Sequence, residues 1–244
     1  MGCFLADEGG LRDAHDLVKT KKLIAKFSIL FLAALSAQAQ GTFTNLDFES
    51  ATVAPSGPEP YGTFVPIGLA LPAWNAYLGS VQLTQVGYNS PTLGTATVSV
   101  FGPTFSYGII DGNYDVDLQT GANLNASIEQ MGTIPANAET LQFDAAETTP
   151  LTVTFNGNVL NPVALSSGVS ADGQGYSVYG ANIAAWENVV GELEFTADFN
   201  GSYNCVLLDD ISFSTTAVSP EPSIVALTAI GGLLFGARKW FARR

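Results

Sequence analysis

Between Phe27 and Ala237 the chain contains no lysine, no arginine and no histidine. All nine Lys and Arg residues lie in the first 26 or the last seven positions and the single histidine is His15, whereas 18 of the 22 acidic residues fall inside that cation-free span. Several function classes go with this absence. Salt bridges cannot support the fold of the span. Nucleic acid and phosphate ligands are disfavoured, because neutralising phosphate takes Lys or Arg and the repulsion from a polyanion is long-ranged. A Ser-His-Asp or Cys-His nucleophile cannot be assembled, and no His or Cys cluster exists to ligate zinc. Cysteine is scarce as well. Cys3 lies in a segment expected to be removed, which leaves Cys205 without an intramolecular partner and rules out a disulfide framework. Cys205 precedes an apolar run and reads as a buried small hydrophobe. The counter-charge such a chain would accept is a divalent cation, since carboxylates and carbonyls are the hard oxygen ligands calcium prefers. The competing reading is a solvated acidic surface that keeps an exported protein soluble.

The basic residues that do exist mark the two ends. Lys19, Lys21, Lys22 and Lys26 form a basic segment, Phe27 to Leu35 an apolar one, and Ala37-Gln38-Ala39 an A-x-A cleavage site ahead of Gln40. This is the order of a secretory signal, assigned to residues 1–39. Met1 to Leu17 carries four acidic residues, which is wrong for a signal's basic region, so translation is expected to start at Val18. At the other end, residues 219–244 read Ser219-Pro220-Glu221-Pro222-Ser223, then a small-and-apolar run from Ile224 to Ala237, then Arg238-Lys239-Trp240-Phe241-Ala242-Arg243-Arg244. Fourteen helical residues span roughly 21 Å, short of the ~30 Å hydrocarbon core. Trp240 and Phe241 suit the interface, and the basic side chains can snorkel to cover the shortfall. This tail resembles the PEP-CTERM sorting segment of bacterial surface proteins. The resemblance implies a single membrane-spanning C-terminal helix, retention by the basic end, and processing near Pro220-Glu221-Pro222 by an exosortase-like enzyme. Pro58-Glu59-Pro60 repeats the tripeptide with no membrane segment behind it, so the order of all three parts carries the likeness.

Residues 40–218 have almost no helical periodicity. Apolar and polar residues alternate in short runs bounded by Gly, Pro, Asn and Asp, which predicts an all-β domain of about ten strands. The runs are Phe43–Phe48, Val81–Val86, Ala96–Phe101, Tyr114–Leu118, Ala126–Met131, Thr140–Phe143, Leu151–Phe155, Tyr176–Tyr179, Glu192–Ala197 and Tyr203–Phe213. Asn156-Gly157-Asn158 signals a tight turn between Phe155 and Val159-Leu160. Without a ~40-residue repeat, one sandwich fits better than a propeller. Ala51 to Pro72, with five prolines punctuated by apolar residues, reads as an ordered loop.

Several motifs in this region are similar to those of the jelly-roll, galactose-binding-like domains of bacterial surface proteins. They are Asn45-Leu46-Asp47-Phe48-Glu49, Leu71-Pro72-Ala73-Trp74, the segment Asp111 to Leu118, Ser127 to Gln130, Leu151 to Gly157, Val178 to Ile183 and Leu207-Leu208-Asp209-Asp210-Ile211-Ser212-Phe213. The resemblance implies a jelly-roll β-sandwich whose first and last motifs lie together. It also implies a structural calcium held by Glu49 and by Asp209 or Asp210, with Asp47 assisting. Strand alternation places Asp209 on the face of Leu207, Ile211 and Phe213, where it needs a metal or backbone amides as partner.

Three further groups are candidates for chemistry. Asp111, Asn113, Asp115 and Asp117 share one side if extended, but Val116 and Ala122 stand where a calcium loop of the EF-hand kind needs Gly and Glu. The plainer reading is a turn at 111–113 leading into a strand whose Tyr114, Val116 and Leu118 face the core. Trp74, Trp186 and the tyrosines Tyr77, Tyr88, Tyr107, Tyr176 and Tyr179 are the residues able to stack on sugars, although the resemblance implies that Trp74 lies in the core. Eighteen acids offer many pairs for glycosidic hydrolysis and no signature of one. The sequence thus points to an exported, non-enzymatic component of the cell surface, extracellular matrix or biofilm. The alternative is a carbohydrate-binding module for exopolysaccharide, and a carboxylate-dependent glycosidase is the third reading.

Overall fold

Period-two alternation governs the folded region, because a strand that buries one face must place every second side chain in the core. The computed structural model describes residues 42–53, 63–90, 95–105, 109–147 and 149–218. In chain order the elements are β1 (Thr63–Pro66), α1 (Ile67–Ala70), β2 (Asn75–Leu78), β3 (Val81–Gln82), β4 (Gln85–Tyr88), β5 (Thr97–Phe101), β6 (Asp115–Gln119) and β7 (Ala126–Thr133). After them come β8 (Thr140–Glu147), β9 (Leu151–Phe155), β10 (Asn158–Leu160), β11 (Val163–Val169), β12 (Gly175–Asn182), a 3-10 turn (Ala184–Trp186), β13 (Val190–Ala197) and β14 (Cys205–Ser214). Eight strands form sheet A in the order β1-β4-β5-β6-β14-β8-β12-β11, and six form sheet B in the order β10-β9-β13-β7-β2-β3. Neighbours are antiparallel except β4 and β5, which run parallel. The expected two-sheet, all-β sandwich is therefore what forms.

The core lies between the sheets. Val98, Val100, Val116, Leu118, Leu141, Phe143, Val206 and Leu208 from sheet A meet Ile128, Val153, Phe155, Leu193 and Phe195 from sheet B, all fully buried. Each such side chain is worth about 1.5–3 kcal/mol on burial, and with no cation available this term carries the stability. An aromatic series runs through the interior. Phe48 meets Trp74 at 5.7 Å between ring centroids, Trp74 meets Phe195 at 6.4 Å, Phe195 meets Phe143 edge-on at 5.2 Å, and Phe143 stacks on Tyr179 at 5.5 Å. Tyr179 is the one member of the series that reaches the surface groove described below.

The structure departs from the expected strands at five places. Phe43–Phe48 is a turn segment, since Asn45 and Phe48 take positive φ (52° and 55°) and break the extended path. Its apolar residues still fill the core, and the segment is tied down by the Ile211 N–H donating to Leu46 O and by Gln130 bonding Thr44. Val81–Val86 divides into β3 and β4, which belong to different sheets. The proline-rich stretch contains β1 and α1, and β11, whose Val-Ala-Leu-Ser-Ser-Gly-Val shows no alternation, adds an unexpected edge strand. Finally, a bulge between Asp209 and Ser212 on β14 reverses the alternation there. Leu207 thereby faces outward, while Ile211 and Phe213 face the core, so the expected common face does not exist. The hairpin turn appears as read: Asn156 and Gly157 both take positive φ and join Phe155 to Asn158 as a two-residue loop. Residues 1–39 and 219–244, with Ala37, Ala39, Pro220, Glu221, Pro222, Arg238, Lys239, Arg243 and Arg244, lie outside the described residues. Among the described residues no helix is long and apolar enough to cross a membrane.

Candidate functional site

A groove of about 590 Å³ opens where β8 ends and where β12 and β14 begin, beside the edge strand β11. No residue of β11 is buried, so this margin of sheet A stands clear of the sandwich core. Its polar lining comes from Glu147, Ser167, Gln174, Tyr176, Ser177 and Tyr179, and its apolar lining includes Ala146 and Leu207. Two features hold the rings in place. Tyr176 is the cross-strand partner of Gly168, and a Cβ added at Gly168 would sit 2.5 Å from Tyr176 Cζ. The phenol end of the ring thus lies over the glycine, which only the missing side chain permits. Tyr179 is backed by Phe143 and donates its hydroxyl to Glu147 Oε2 at 3.3 Å. Partial burial raises the Glu147 pKa, and the tyrosine hydrogen bond opposes that shift. The Tyr179 pKa is raised by burial and by the adjacent Glu147 charge. Chemically this is a recess with two fixed aromatic faces, a carboxylate acceptor, hydroxyls and an amide.

A second group of titratable residues lies on the outer face of sheet A. Cross-strand pairing sets Phe101 beside Asp115, Ser99 beside Asp117, Asp117 beside Leu207, and Asp144 beside Asp209. The β5–β6 connection turns back over this face. Phe101 stacks on Phe105 at 3.7 Å and, with Ile109, Ile110 and Leu207, makes a satellite apolar cluster. Asp115, Asp117 and Asp209 are consequently buried. Asp115 Oδ2 accepts the Ile110 N–H at 3.2 Å, while Asp209 accepts those of Asp111 at 3.1 Å and Asp210 at 2.8 Å. Asp115 Oδ1 and Asp117 Oδ1 have no partner. Burial pushes Asp115 up to about 8, Asp117 to about 7 and Asp209 to about 9, and Asp144, nearer the surface, to about 6. The expected acidic row of Asp115 and Asp117 does share one side, but under a lid, while Val116 and Leu118 face the core and Tyr114 packs against it. Cys205 differs from expectation too: it is half-buried at the groove and hydrogen-bonded to Asp117, because Gln119 and Cys205 pair on the outer face.

The outer face of sheet B is acidic and open. Glu129 and Glu194 are direct cross-strand partners, and Glu192 stands next along the same strand face. Tyr77 donates to Glu129 Oε1 at 2.6 Å, and Asn75 and Gln82 extend the network. The Tyr77 pKa is pushed up to about 12, first by that hydrogen bond. Glu192 is raised by burial and by the charges of Glu129 and Glu194.

The residues expected to hold calcium are divided. The Glu49 carboxylate takes the backbone N–H groups of Asn113 and Tyr114 and the side-chain amide of Asn113, capping the turn at Gly112. Asp209 is spent on two backbone amides inside the lid. Asp210, at positive φ on the bulge, faces out toward Asp111, Asp47 and Glu49, whose charges add to burial in raising its pKa. Among the described residues no group of three or more His, Cys, Asp or Glu is placed to hold a metal ion.

Of the stacking candidates, Trp74 is buried as expected, its indole N–H donating to Asn45 O at 2.9 Å. Tyr88 is buried, Trp186 packs edge-on against Phe155, and Tyr107 lies outside the described residues. Tyr176 and Tyr179 are the two that meet at the groove. Glu147, Gln174 and Gly168 were not legible as site residues, because the strand that brings Gly168 under Tyr176 has no pattern of its own.

No family model matches this chain, and no curated protein matches it. Among solved structures, TmCBM61 in complex with β-1,4-galactotriose is similar at 12% sequence identity and a TM-score of 0.36, covering 71% of this chain and 97% of that one.

Proposed function

We propose that this is the folded domain of an exported surface protein and that it binds polysaccharide at the groove beside β11, without catalysis. The observation that carries the reading is that Tyr176, packed over Gly168, and Tyr179, backed by Phe143 and bonded to Glu147, both line this one groove. Ring faces held in advance cost little entropy on binding, and a carboxylate beside them orients hydroxyls. In this reading the sandwich is a jelly roll of the galactose-binding-like kind. The test is a glycan array with the purified domain, with and without calcium, followed by calorimetric titration of the hits. Tyr176→Ala is expected to weaken binding about tenfold, the loss of one stacked aromatic contact. A domain that binds no glycan in either condition overturns the reading and leaves a structural matrix component.

The chain ends support a companion proposal about delivery. The signal at residues 1–39 exports the chain, the apolar segment within 219–244 holds it in the membrane, and an exosortase-like enzyme cuts near Pro220-Glu221-Pro222. The mass of the mature protein checks this. A product shortened at both ends is expected, and a chain still ending at Arg244 would count decisively against processing.

A further inference from the structure

One wall of the groove and the buried carboxyls of sheet A stand on the same side of that sheet. Asp117 on β6 lies opposite Leu207 on β14, and Leu207 lies opposite Ala146 on β8. Tyr176 and Ala146 pack on the apolar cluster that contains Leu207. The Cys205 side chain hydrogen-bonds to Asp117. Ala146, Tyr176, Cys205 and Leu207 all line the groove, so Cys205 meets the recess on one side and the Asp117 carboxyl on the other. Asp117 is 2% exposed and its Oδ1 has no partner. Once ionised, such a group needs a cation or water. Its neighbours hold no cation. β5 presents Ser99, whose hydroxyl is donated to Ser90 O. β6 adds Asp115, β14 adds Asp209, β8 adds Asp144 opposite Asp209, and the Asp111 N–H is already on Asp209. Glu147 pairs with Val206, a core residue, and so lies on the other side of the sheet. Among the described residues the titratable groups on this side are therefore acids, the Cys205 thiol and the Tyr176 phenol. Ser99, Asp115 and Leu207 are buried, whereas Cys205 is half-buried at the groove, which makes the groove the route by which water reaches Asp117. Of the three buried carboxyls Asp117, at about 7, ionises before Asp115 and Asp209, at about 8 and about 9.

We infer that the proton on Asp117 regulates the groove through the wall formed by Cys205, Leu207 and Tyr176. With the proton in place the wall is closed to water and Tyr176 keeps its seat on Leu207. When the proton leaves, water enters past Cys205 to solvate the carboxylate, the wall loosens and glycan binding weakens. The inference rests on the groove being the polysaccharide site and adds how that site is controlled. By reciprocity a bound glycan holds the proton on Asp117, so the ligand is retained in acid and released in alkali.

The test first follows Tyr176 without ligand. The mature protein is isotope-labelled on its tyrosine rings, the Tyr176 signal is assigned with Tyr176→Phe, and NMR spectra are taken from about pH 5 to about pH 8.5. The signal is expected to titrate with a midpoint at about 7 and to stay flat in Asp117→Asn. In Cys205→Ala the midpoint should move up, because the Cys205 hydrogen bond lowers the Asp117 pKa. Calorimetric titrations with tetramers of galactose, glucose and N-acetylglucosamine, all neutral throughout this range, then read the ligand. Binding is expected to weaken about tenfold from the acid to the alkaline end in the wild type, and to change less than about twofold in Asp117→Asn. A Tyr176 signal that is constant, or that titrates equally in Asp117→Asn, overturns the inference whether or not any glycan binds. An affinity that ignores pH while Tyr176 follows Asp117 also overturns it, since the proton then does not reach the ligand. A Tyr176 signal that follows Asp117 while every probe is silent supports the proton link and counts against the polysaccharide reading instead. Circular dichroism at each pH separates a local change from unfolding.

Discussion

The two outer faces of the sandwich carry the same kind of residue and treat it in opposite ways. On sheet A, Asp115, Asp117 and Asp209 occupy outward strand positions, yet the β5–β6 connection folds Phe105, Ile109 and Ile110 over them and removes them from water. On sheet B, Glu129, Glu192 and Glu194 occupy outward positions with no such cover and remain in contact with solvent and with Tyr77. Neither face has a cation. Strand alternation decides only which way a side chain points, whereas a distant loop decides whether that direction is wet. Under the loop the carboxyls stay protonated well above the usual range, because the charged form is the one burial penalises. On the open face the cost is repulsion between neighbours instead.

The strongest way to break this comparison is the pH dependence of stability. The folded chain keeps protons on Asp115, Asp117 and Asp209 up to about 8, 7 and 9, whereas an unfolded aspartate releases its proton near 3.8. Between those limits the folded state binds more protons than the unfolded one, so stability falls as pH rises from about 4 to about 9. A melting temperature about 10 °C higher at pH 5 than at pH 9 is expected, which corresponds to about 3 kcal/mol for a domain of this size. The same melt on Asp117→Asn sharpens it: a gain of about 1–2 kcal/mol at pH 8, no gain at about pH 3, below both the unfolded and the folded pKa, and a flatter profile between. A wild-type melting curve that rises toward alkaline pH would show that these carboxyls are ionised under the loop. The open face predicts less. Glu194→Gln removes the charge directly opposite Glu129 and should stabilise by about 0.5 kcal/mol at pH 7, read from urea unfolding. It should lower the highest tyrosine titration only slightly, because the Glu129 hydrogen bond and burial hold Tyr77 up more than the Glu194 charge does. A destabilised variant would mean that Glu194 makes a contact worth more than the repulsion it suffers.

Much of the fold was legible because its signals are local. The runs at Ala126–Met131, Leu151–Phe155 and Glu192–Ala197 form β7, β9 and β13, and Asn156-Gly157 forms its turn. The first motif misled, since Phe43, Leu46 and Phe48 are as buried as strand residues but reach the core from turns at Asn45 and Phe48. At the candidate site the two tyrosines stood out by type, while Glu147 looked like any other acid. Gly168 looked like a loop glycine, because β11 has neither alternation nor bulky β-formers.

From the residues alone came the absence of cations, the all-strand body and the turn at Asn156-Gly157. These depend on side-chain chemistry and on periods of a few residues, which any stretch of chain displays by itself. Tertiary structure alone decided that Asp117 is dry while Glu194 is wet, that a bulge sets Asp209 on the opposite face from Ile211 and Phe213, and that Tyr176 and Tyr179 line one recess. Each of those outcomes depends on groups far apart in the chain, whose meeting is set by sheet order and loop path and leaves no trace in local pattern.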